Sequence, residues 1–127
     1  MISVVIPVFN EKDSVVALHA ELLAVLQKTG EPFEIIFIDD GSIDGTVLEL
    51  KKLLPIHIIA FTRNFGKSQA LQAGFKEAKG DYIFTLDGDL QDDPREIPNF
   101  LKELKEKNID LIVGWKRNRL DGFAKNM

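Results

Sequence analysis

The sequence predicts a doubly wound α/β domain built on a mostly parallel sheet. Five apolar runs of strand length recur along its 127 residues, and most of them are continuous rather than alternating. Continuous apolar strands are typical of a parallel sheet that is buried on both faces. Helical patterns lie between the runs, so the order β-α-β-α-β-α-β-α-β favours one domain over residues 1–127 with helices packed on the sheet.

The elements follow one another without repeats. Strands are predicted over residues 2–8, 34–38, 56–61, 82–86 and 111–115. The helices are predicted from apolar residues at helical spacing, which place an apolar stripe toward the core. Pro55 is expected to close the second helix, and Gly80 to end the third. The four stripes are Val15, Leu18, Leu22 and Leu26; Val47, Leu50 and Leu54; Leu71, Phe75 and Ala78; and Ile97, Leu101 and Leu104.

The composition excludes several functional classes. With 45% hydrophobic and 28% charged residues, the chain is typical of a soluble globular protein. Its net charge of -4 argues against a nucleic-acid binder, which would carry a basic surface. The absence of cysteine excludes disulfides, Cys-ligated zinc and thiol catalysis.

The sequence carries no visible targeting or membrane segment. No apolar run approaches the roughly 20 residues that are needed to cross a bilayer. The apolar start over residues 2–9 is short, contains Pro7 and lacks a basic beginning, unlike a signal peptide. We therefore expect a cytoplasmic chain. Its end, five residues after Gly122, predicts a domain that is interrupted after the fifth strand.

The segment Asp87-Gly88-Asp89 follows the fourth predicted strand and suggests a metal site. In an extended or gently turning chain, residues i, i+2 and i+4 point the same way, so Asp87, Asp89 and Gln91 offer three oxygen ligands. Such ligands suit Mg2+ or Mn2+ rather than zinc. Gly88 has no Cβ to keep a diphosphate from the backbone. The alternative is an ordinary polar turn, because Asp and Gly are common turn formers.

Polar clusters follow the other predicted strands as well. Ligands of open parallel sheets bind beyond the carboxyl ends of the strands, so five clusters at one edge are hard to attribute to turns alone. The other four are Pro7-Val8-Phe9-Asn10-Glu11, Asp39-Asp40-Gly41-Ser42, Arg63-Asn64-Phe65-Gly66-Lys67 and Lys116-Arg117-Asn118-Arg119.

Each cluster has a functional and an ordinary interpretation. Phe9 would stack on a nucleobase while Asn10 or Glu11 engages base or ribose, or the segment is only a strand exit and helix cap. A carboxylate of Asp39-Asp40 would accept a base N–H or a ribose hydroxyl, or form an Asx turn. Arg63 and Lys67 would contact a diphosphate, or remain solvated surface charges. His19 and His57 have no acidic motif beside them and are expected to be structural.

In this order, the clusters resemble family 2 glycosyltransferases, which have the Rossmann-like GT-A fold. Within that family, Asp89-Leu90-Gln91-Asp92-Asp93-Pro94 with Ile97-Pro98 is most similar to the polyprenyl-phosphate branch, which includes dolichol-phosphate mannose synthases. The resemblance covers nearly all of the chain. It rests on residues 4–11, Asp39-Asp40-Gly41-Ser42 with Asp44-Gly45-Thr46, Arg63-Asn64-Phe65-Gly66-Lys67 and Asp87-Gly88-Asp89.

The resemblance implies a role for each cluster. The chain would be the donor-binding part of an inverting enzyme that moves a hexose from a UDP- or GDP-sugar to a polyprenyl phosphate, with Mg2+ or Mn2+ as cofactor. The acceptor half, which the resemblance places after this segment, would be absent, and the full-length protein would work at the cytosolic face of a membrane. The implied roles are a nucleotide pocket at Pro7, Phe9, Asn10, Glu11, Asp39, Asp40, Arg63, Lys67, Asp87 and Gly88; metal ligands Asp87, Asp89 and Gln91, the first two catalytic; and acceptor-phosphate contacts at Lys116, Arg117 and Arg119.

Three other classes of protein share features with this sequence. A receiver-like signalling domain also has five strands, but it would place its acidic pair after the first strand, where this chain has none. A sugar nucleotidyltransferase would open with a glycine-rich loop, and Pro7-Val8-Phe9-Asn10-Glu11 has no glycine. A non-catalytic nucleotide-binding fragment stays open, because fold analogy does not establish chemistry.

Overall fold

A single parallel sheet organises the domain. The computed structural model describes residues 1–107 and 112–113. The strands are β1 (Ile2–Val8), β2 (Phe33–Asp39), β3 (His57–Ala60), β4 (Tyr82–Thr85) and β5 (Ile112–Val113). They lie in the order β3-β2-β1-β4-β5, and every neighbouring pair is parallel. The predicted doubly wound α/β fold is confirmed.

Helices pack on both faces of this sheet. They are α1 (Val15–Thr29), α2 (Thr46–Leu50), α3 (Lys67–Glu77) and α4 (Ile97–Lys107), with a 3-10 turn at Pro94–Glu96. The longest has 15 residues. Among the helices of residues 1–107, none combines the length and the hydropathy of a membrane span.

Alternate residues of the central strands face two separate apolar clusters. In β1, Val4 and Ile6 belong to the cluster that contains the buried faces of α1 and α4. Val5 belongs to the other cluster, where it meets Ala70 of α3. Both faces of β1 are therefore covered, which is why the run is continuously apolar. The sheet is thus held rigidly behind the loops at its carboxyl edge.

The predicted boundaries agree closely with the structure, except around the second helix. The strands differ by at most a residue at each end where the chain is described, and residues 111, 114 and 115 of the fifth lie outside the described residues. Helix α2 contains Val47 and the buried Leu50 but ends there, so the predicted stripe is wrong only at Leu54, which is 79% exposed. The residue before a proline is disfavoured in α conformation, which keeps Leu54 out of the helix that Pro55 was expected to close.

The predicted end of the third helix is also displaced. Helix α3 ends at Glu77, and Gly80 lies beyond it. A Cβ atom on Gly80 would come within 2.6 Å of the Ser3 hydroxyl and 2.7 Å of the Met1 carbonyl oxygen. Gly80 thus allows the chain to pass against the start of β1 and does not cap the helix.

The two histidines lie away from the carboxyl edge of the sheet. His19 is buried in α1, and His57 begins the edge strand β3, with its Nε2 atom 3.9 Å from a carboxylate oxygen of Glu34. Both positions are consistent with the expected structural roles.

His19 is expected to lower the stability of the domain on acidification. Burial lowers its pKa below the ordinary value, and a hydrogen bond to the Leu54 backbone offsets this only in part. The folded chain therefore binds this proton less readily than the unfolded chain, so His19 costs stability as the pH falls below about 6.5. Urea unfolding measured near neutral pH and near pH ~5.5 gives the free energy of unfolding at each pH. Between the two, this free energy should fall less in His19→Gln than in the wild type.

A matched control separates this effect from the other titrating groups. His57→Gln also removes one histidine, but from an exposed position on β3. The reduced sensitivity to acid that is expected for His19→Gln should be absent from this variant. If the free energy of unfolding falls equally on acidification in His19→Gln and the wild type, His19 is not a source of the acid sensitivity.

Candidate functional site

A pocket lies where the order of the sheet reverses. Strand β1 pairs with β2 on one side and with β4 on the other, so the chain winds outward from β1 to β3 and then returns to β4 on the opposite side of β1. In doubly wound sheets, such a switch point opens a crevice at the carboxyl ends of the strands. The pocket has a volume of about 260 Å³. It is lined by Pro7, Val8, Phe9, Glu11, Asp40, Lys67, Asp87, Gly88 and Asp89.

The segment that follows β4 folds into a tight turn. The backbone N–H of Asp87 donates to the carboxylate of the buried Asp92, which ties the two ends of the turn together. Inside it, Asp89 Oδ1 accepts the N–H of Gln91 at 3.1 Å. Leu90 has a φ of 66°, which is uncommon for a residue with a side chain. The turn holds Asp87 and Asp89 at the pocket in one fixed arrangement.

A contact with β1 fixes this turn against the sheet. A Cβ atom on Gly88 would lie 2.4 Å from Cγ1 of Val8, the last residue of β1. Only glycine lets the Asp87-Gly88-Asp89 backbone lie this close to the strand end. Val8 itself lines the pocket and was missed from the sequence, because it reads as one more apolar strand residue.

Lys67 reaches across the pocket to Asp87. Its Nζ atom lies 2.5 Å from Asp87 Oδ1, which joins the first residue of α3 to the turn after β4. Lys67 is 61% exposed at its side chain, whereas Asp87 is 18% exposed. The ammonium group is therefore open to solvent and to a ligand in the pocket.

Asp40 organises the loop that carries Lys67. Its carboxylate is buried and accepts the backbone N–H groups of Phe65 at 2.7 Å and Gly66 at 3.0 Å. It also accepts from the side-chain amide of Asn64 at 3.2 Å. Asp40 borders the pocket, but these three bonds show that its oxygens hold residues 64–66 in place.

A glycine allows the same loop to approach β2. Gly41 has a φ of 79°, and a Cβ atom on it would lie 2.3 Å from the carbonyl carbon of Arg63. The side chain of Arg63 is exposed and lies over the ring of Phe65, 4.4 Å from its centroid. Arg63 does not line the pocket.

Asn10 binds the neighbouring loop. Its side-chain oxygen accepts the N–H of Ile43 at 2.9 Å, and its own N–H donates to the Ser42 hydroxyl at 2.8 Å. The N–H of Glu11 donates to the Thr46 hydroxyl at 3.0 Å. These contacts attach the exit of β1 to the start of α2 and leave Asn10 outside the pocket lining.

Asp39 is buried behind the pocket at the end of β2. Its Oδ2 atom accepts the N–H of Ser42 at 3.0 Å. Its Oδ1 atom has no hydrogen-bond partner within residues 1–107 and 112–113. Asp39 does not line the pocket, so its carboxylate serves the turn after β2.

One carboxyl group of the pocket, that of Glu11, has a raised pKa. Burial is the main cause that raises the pKa of Glu11 above its ordinary value, and the carboxylates of Asp89 and Asp44 raise it further. A hydrogen bond from Ser14 acts in the opposite direction. The pKa of Glu11 is thus raised first by burial and second by neighbouring carboxylates.

The donor atoms of the pocket fit a divalent cation that is shared with a ligand. Four carboxylates and one lysine line the pocket. No group of three or more His, Asp or Glu residues in the described part of the chain is arranged to hold a metal by itself. Mg2+ is usually bound by one or two carboxylates together with waters and substrate phosphates. Asp87 and Asp89 match that pattern, whereas the exposed Gln91 lies outside the lining.

The predicted acceptor residues cannot be placed. Lys116, Arg117 and Arg119 lie outside the described residues. The pocket thus brings together eight of the residues proposed from the sequence, which are Pro7, Phe9, Glu11, Asp40, Lys67, Asp87, Gly88 and Asp89.

Comparison with known proteins identifies the family. Residues 3–127 match the sequence profile described as Glycosyl transferase family 2. The chain belongs to this family. Its predicted resemblance is therefore confirmed, and the receiver-like and nucleotidyltransferase readings are excluded.

Curated relatives are similar to the chain at about 40% identity. A dodecaprenyl-phosphate galacturonate synthase of Rhizobium johnstonii is 42% identical over 127 residues, which are 96% of this chain and 38% of that protein. An undecaprenyl-phosphate 4-deoxy-4-formamido-L-arabinose transferase of Pectobacterium atrosepticum is 41% identical over 131 residues, covering 99% of this chain and 40% of that protein. The chain therefore spans about two fifths of the length of these relatives.

Solved structures of glycosyltransferases share the fold. S. aureus TarS in complex with UDP superposes with a TM-score of 0.66 at 24% identity, over 84% of this chain and 32% of that one. The mannosyltransferase PcManGT of Pyrobaculum calidifontis, in complex with GDP-Man and Mn2+, gives a TM-score of 0.66 at 23% identity over 81% of this chain and 32% of that one.

Proposed function

We propose that the chain is the donor-binding part of a metal-dependent inverting glycosyltransferase. In this proposal the full-length protein transfers a hexose from a UDP- or GDP-sugar to a polyprenyl phosphate. The observation that carries it is the convergence of Asp87, Asp89 and Lys67 on one pocket at the switch point of the sheet. That position is where doubly wound folds bind nucleotides.

The nucleoside end of the donor fits the β1 and β2 side of the pocket. Phe9 is 45% exposed and lines the pocket, so its ring is available to stack on a base. Pro7 provides an adjacent apolar wall. Asp39 is proposed to support this region from behind, because its buried carboxylate holds the turn that begins at Ser42. Asp40 supports this region by holding the loop of residues 64–66.

The diphosphate end fits the β4 side of the pocket. Lys67 is the one cation among the nine lining residues, and it faces four carboxylates. A diphosphate would be repelled by this surface unless a divalent cation came with it. Mg2+ or Mn2+ held by Asp87 and Asp89 would supply that charge and stabilise the departing nucleoside diphosphate.

The reaction we propose is a single displacement. An oxygen of the acceptor phosphate attacks the anomeric carbon of the sugar. The bond between that carbon and the nucleoside diphosphate breaks, and the anomeric configuration inverts. Phosphate monoesters have a second pKa near about 6, so the acceptor is already mostly dianionic and needs no strong general base. Lys116, Arg117 and Arg119 are proposed to contact this phosphate. In this mechanism, residues 1–107 bind and orient the donor and stabilise its leaving group.

The acceptor and the location are proposed from the relatives. Both curated relatives are named for polyprenyl-phosphate substrates, dodecaprenyl phosphate in one and undecaprenyl phosphate in the other. Such an acceptor is anchored in a membrane by its hydrocarbon chain. We therefore propose that the full-length protein works at the cytosolic face of a membrane, with peripheral contact.

A second candidate is a nucleotide-binding fragment without activity of its own. It is favoured by the short span of the chain, which covers only 38% of the galacturonate synthase. Residues that contact an acceptor in a complete enzyme are then supplied by sequence beyond this segment.

A transfer assay on two proteins tests both candidates. The full-length protein and the 127-residue chain are each incubated with Mn2+, a panel of UDP- and GDP-sugars and an undecaprenyl phosphate, and the lipid product is followed by mass spectrometry. We expect sugar to appear on the lipid with the full-length protein for one donor base. Activity in the full-length protein alone supports the fragment candidate, and no product with any donor contradicts the proposed transfer.

A further inference from the structure

The ion pair between Lys67 and Asp87 neutralises a pocket carboxylate when no ligand is bound. The two side chains come from different elements, the start of α3 and the turn after β4, and their charged atoms are 2.5 Å apart. Asp87 is the less exposed partner, and the other lining carboxylates surround the same space. The ammonium group therefore pairs with a carboxylate that would also hold the metal cation.

The position of Lys67 in its helix disagrees with helix preferences. It is the first residue of α3, and no acidic residue lies in the first turn of that helix. The amino end of a helix carries partial positive charge, so a lysine there is disfavoured unless an anion neutralises it. Asp87 is that anion. A residue that breaks a local rule at a pocket is more often explained by function than by folding.

We propose that Lys67 is an internal counter-ion that competes with the divalent cation for Asp87 and is released to the diphosphate when both ligands bind. This inference rests on the proposed function and deepens it. Without nucleotide, a cation must displace the ammonium group from Asp87, so it binds weakly. With nucleotide, Lys67 transfers its ion pair to the phosphate oxygens and leaves Asp87 to the cation. The binding of the cation and the binding of the nucleotide are thereby coupled. Each ligand binds weakly alone and more tightly when the other is present.

Lys67→Met tests this exchange, because methionine keeps the length of the side chain without the charge. Mn2+ affinity without nucleotide, measured by electron paramagnetic resonance of free Mn2+, should rise roughly two- to fivefold, the range that the loss of a partly exposed ion pair allows. UDP or GDP affinity in the presence of Mn2+ should fall roughly tenfold, because a charge-assisted bond to phosphate is lost. The factor by which nucleotide tightens Mn2+ binding should shrink accordingly, since coupling is reciprocal.

Lys76→Met is the matched control. It lies in the last turn of the same helix, is exposed and changes the net charge equally, but does not line the pocket. It should leave Mn2+ affinity as in the wild type. An unchanged or weaker Mn2+ affinity in Lys67→Met, or an equal gain in Lys76→Met, would overturn the competition. Failure of both nucleotides to bind any of these proteins would overturn the proposed function, while the titration with Mn2+ alone still decides the role of Lys67.

Discussion

Replacing Asp89 by asparagine is expected to abolish metal-dependent nucleotide binding without unfolding the domain. Asp89 lines the pocket, is exposed and is one of two carboxylates proposed to hold the cation. Loss of residues that only support metal ligands costs about 10- to 100-fold in affinity, so loss of a ligand should cost at least about 100-fold. Calorimetric titration of UDP and GDP in the presence of Mn2+ measures this directly.

The fold should tolerate this change. Asp89 accepts the N–H of Gln91 through Oδ1, and the amide oxygen of asparagine can accept the same bond. Asp93→Asn is the control, because it removes one negative charge four positions away, at a residue that caps the 3-10 turn and pairs with Arg95. Nucleotide binding that keeps its metal dependence in Asp89→Asn would contradict the assignment of the cation to this turn.

Replacing Asp40 by alanine is expected to give the largest loss of stability among the pocket residues. Three groups donate to its buried carboxylate, and two of them are backbone N–H groups of Phe65 and Gly66. Removing the acceptor leaves these partly buried donors without their partner, which should lower the free energy of unfolding by about 1–3 kcal/mol. Urea unfolding of the variant and the wild type gives this difference.

The loss should be specific to the buried network. Asp81→Ala also removes one carboxylate and an ion pair, but its partner is the exposed amino terminus, so the cost should stay below about 1 kcal/mol. Because the loop held by Asp40 carries Lys67, nucleotide binding should weaken in Asp40→Ala even where the protein is folded. A loss of less than about 1 kcal/mol for Asp40→Ala would show that the loop is held by other contacts.

Much of the fold was predictable because the local signals agree with the topology. Residues 2–8 read as a strand buried on both faces, and β1 is the central strand with apolar clusters on both sides. The stripe from Val15 to Leu26 lies on one buried face of α1, as its spacing predicts. The second helix was mispredicted because Leu54 matched the spacing, whereas the proline after it forces a turn that exposes it.

The sequence was sufficient to predict which loops form the site. It was not sufficient to predict which polar side chains bind other loops and which face the pocket. Strand ends collect at one edge of a parallel sheet, so the convergence of Phe9, Lys67 and Asp89 followed from topology. Which polar side chains serve the loops themselves depends on pairings distant in sequence. Asn10 binds Ile43 across 33 positions, and Asp40 binds Gly66 across 26. No local pattern distinguishes such residues from those that face the pocket.

The most direct test of the account is the thermal unfolding of the chain with UDP or GDP, each with and without Mn2+. A ligand at about 100 times its dissociation constant stabilises the folded state by about 2.7 kcal/mol, which is a shift of several degrees for a domain of this size. We expect a clear rise in Tm for one of the two nucleotides, and only when Mn2+ is present. No rise with either nucleotide, or an equal rise without Mn2+, would contradict a cation-bridged donor site at Asp87 and Asp89.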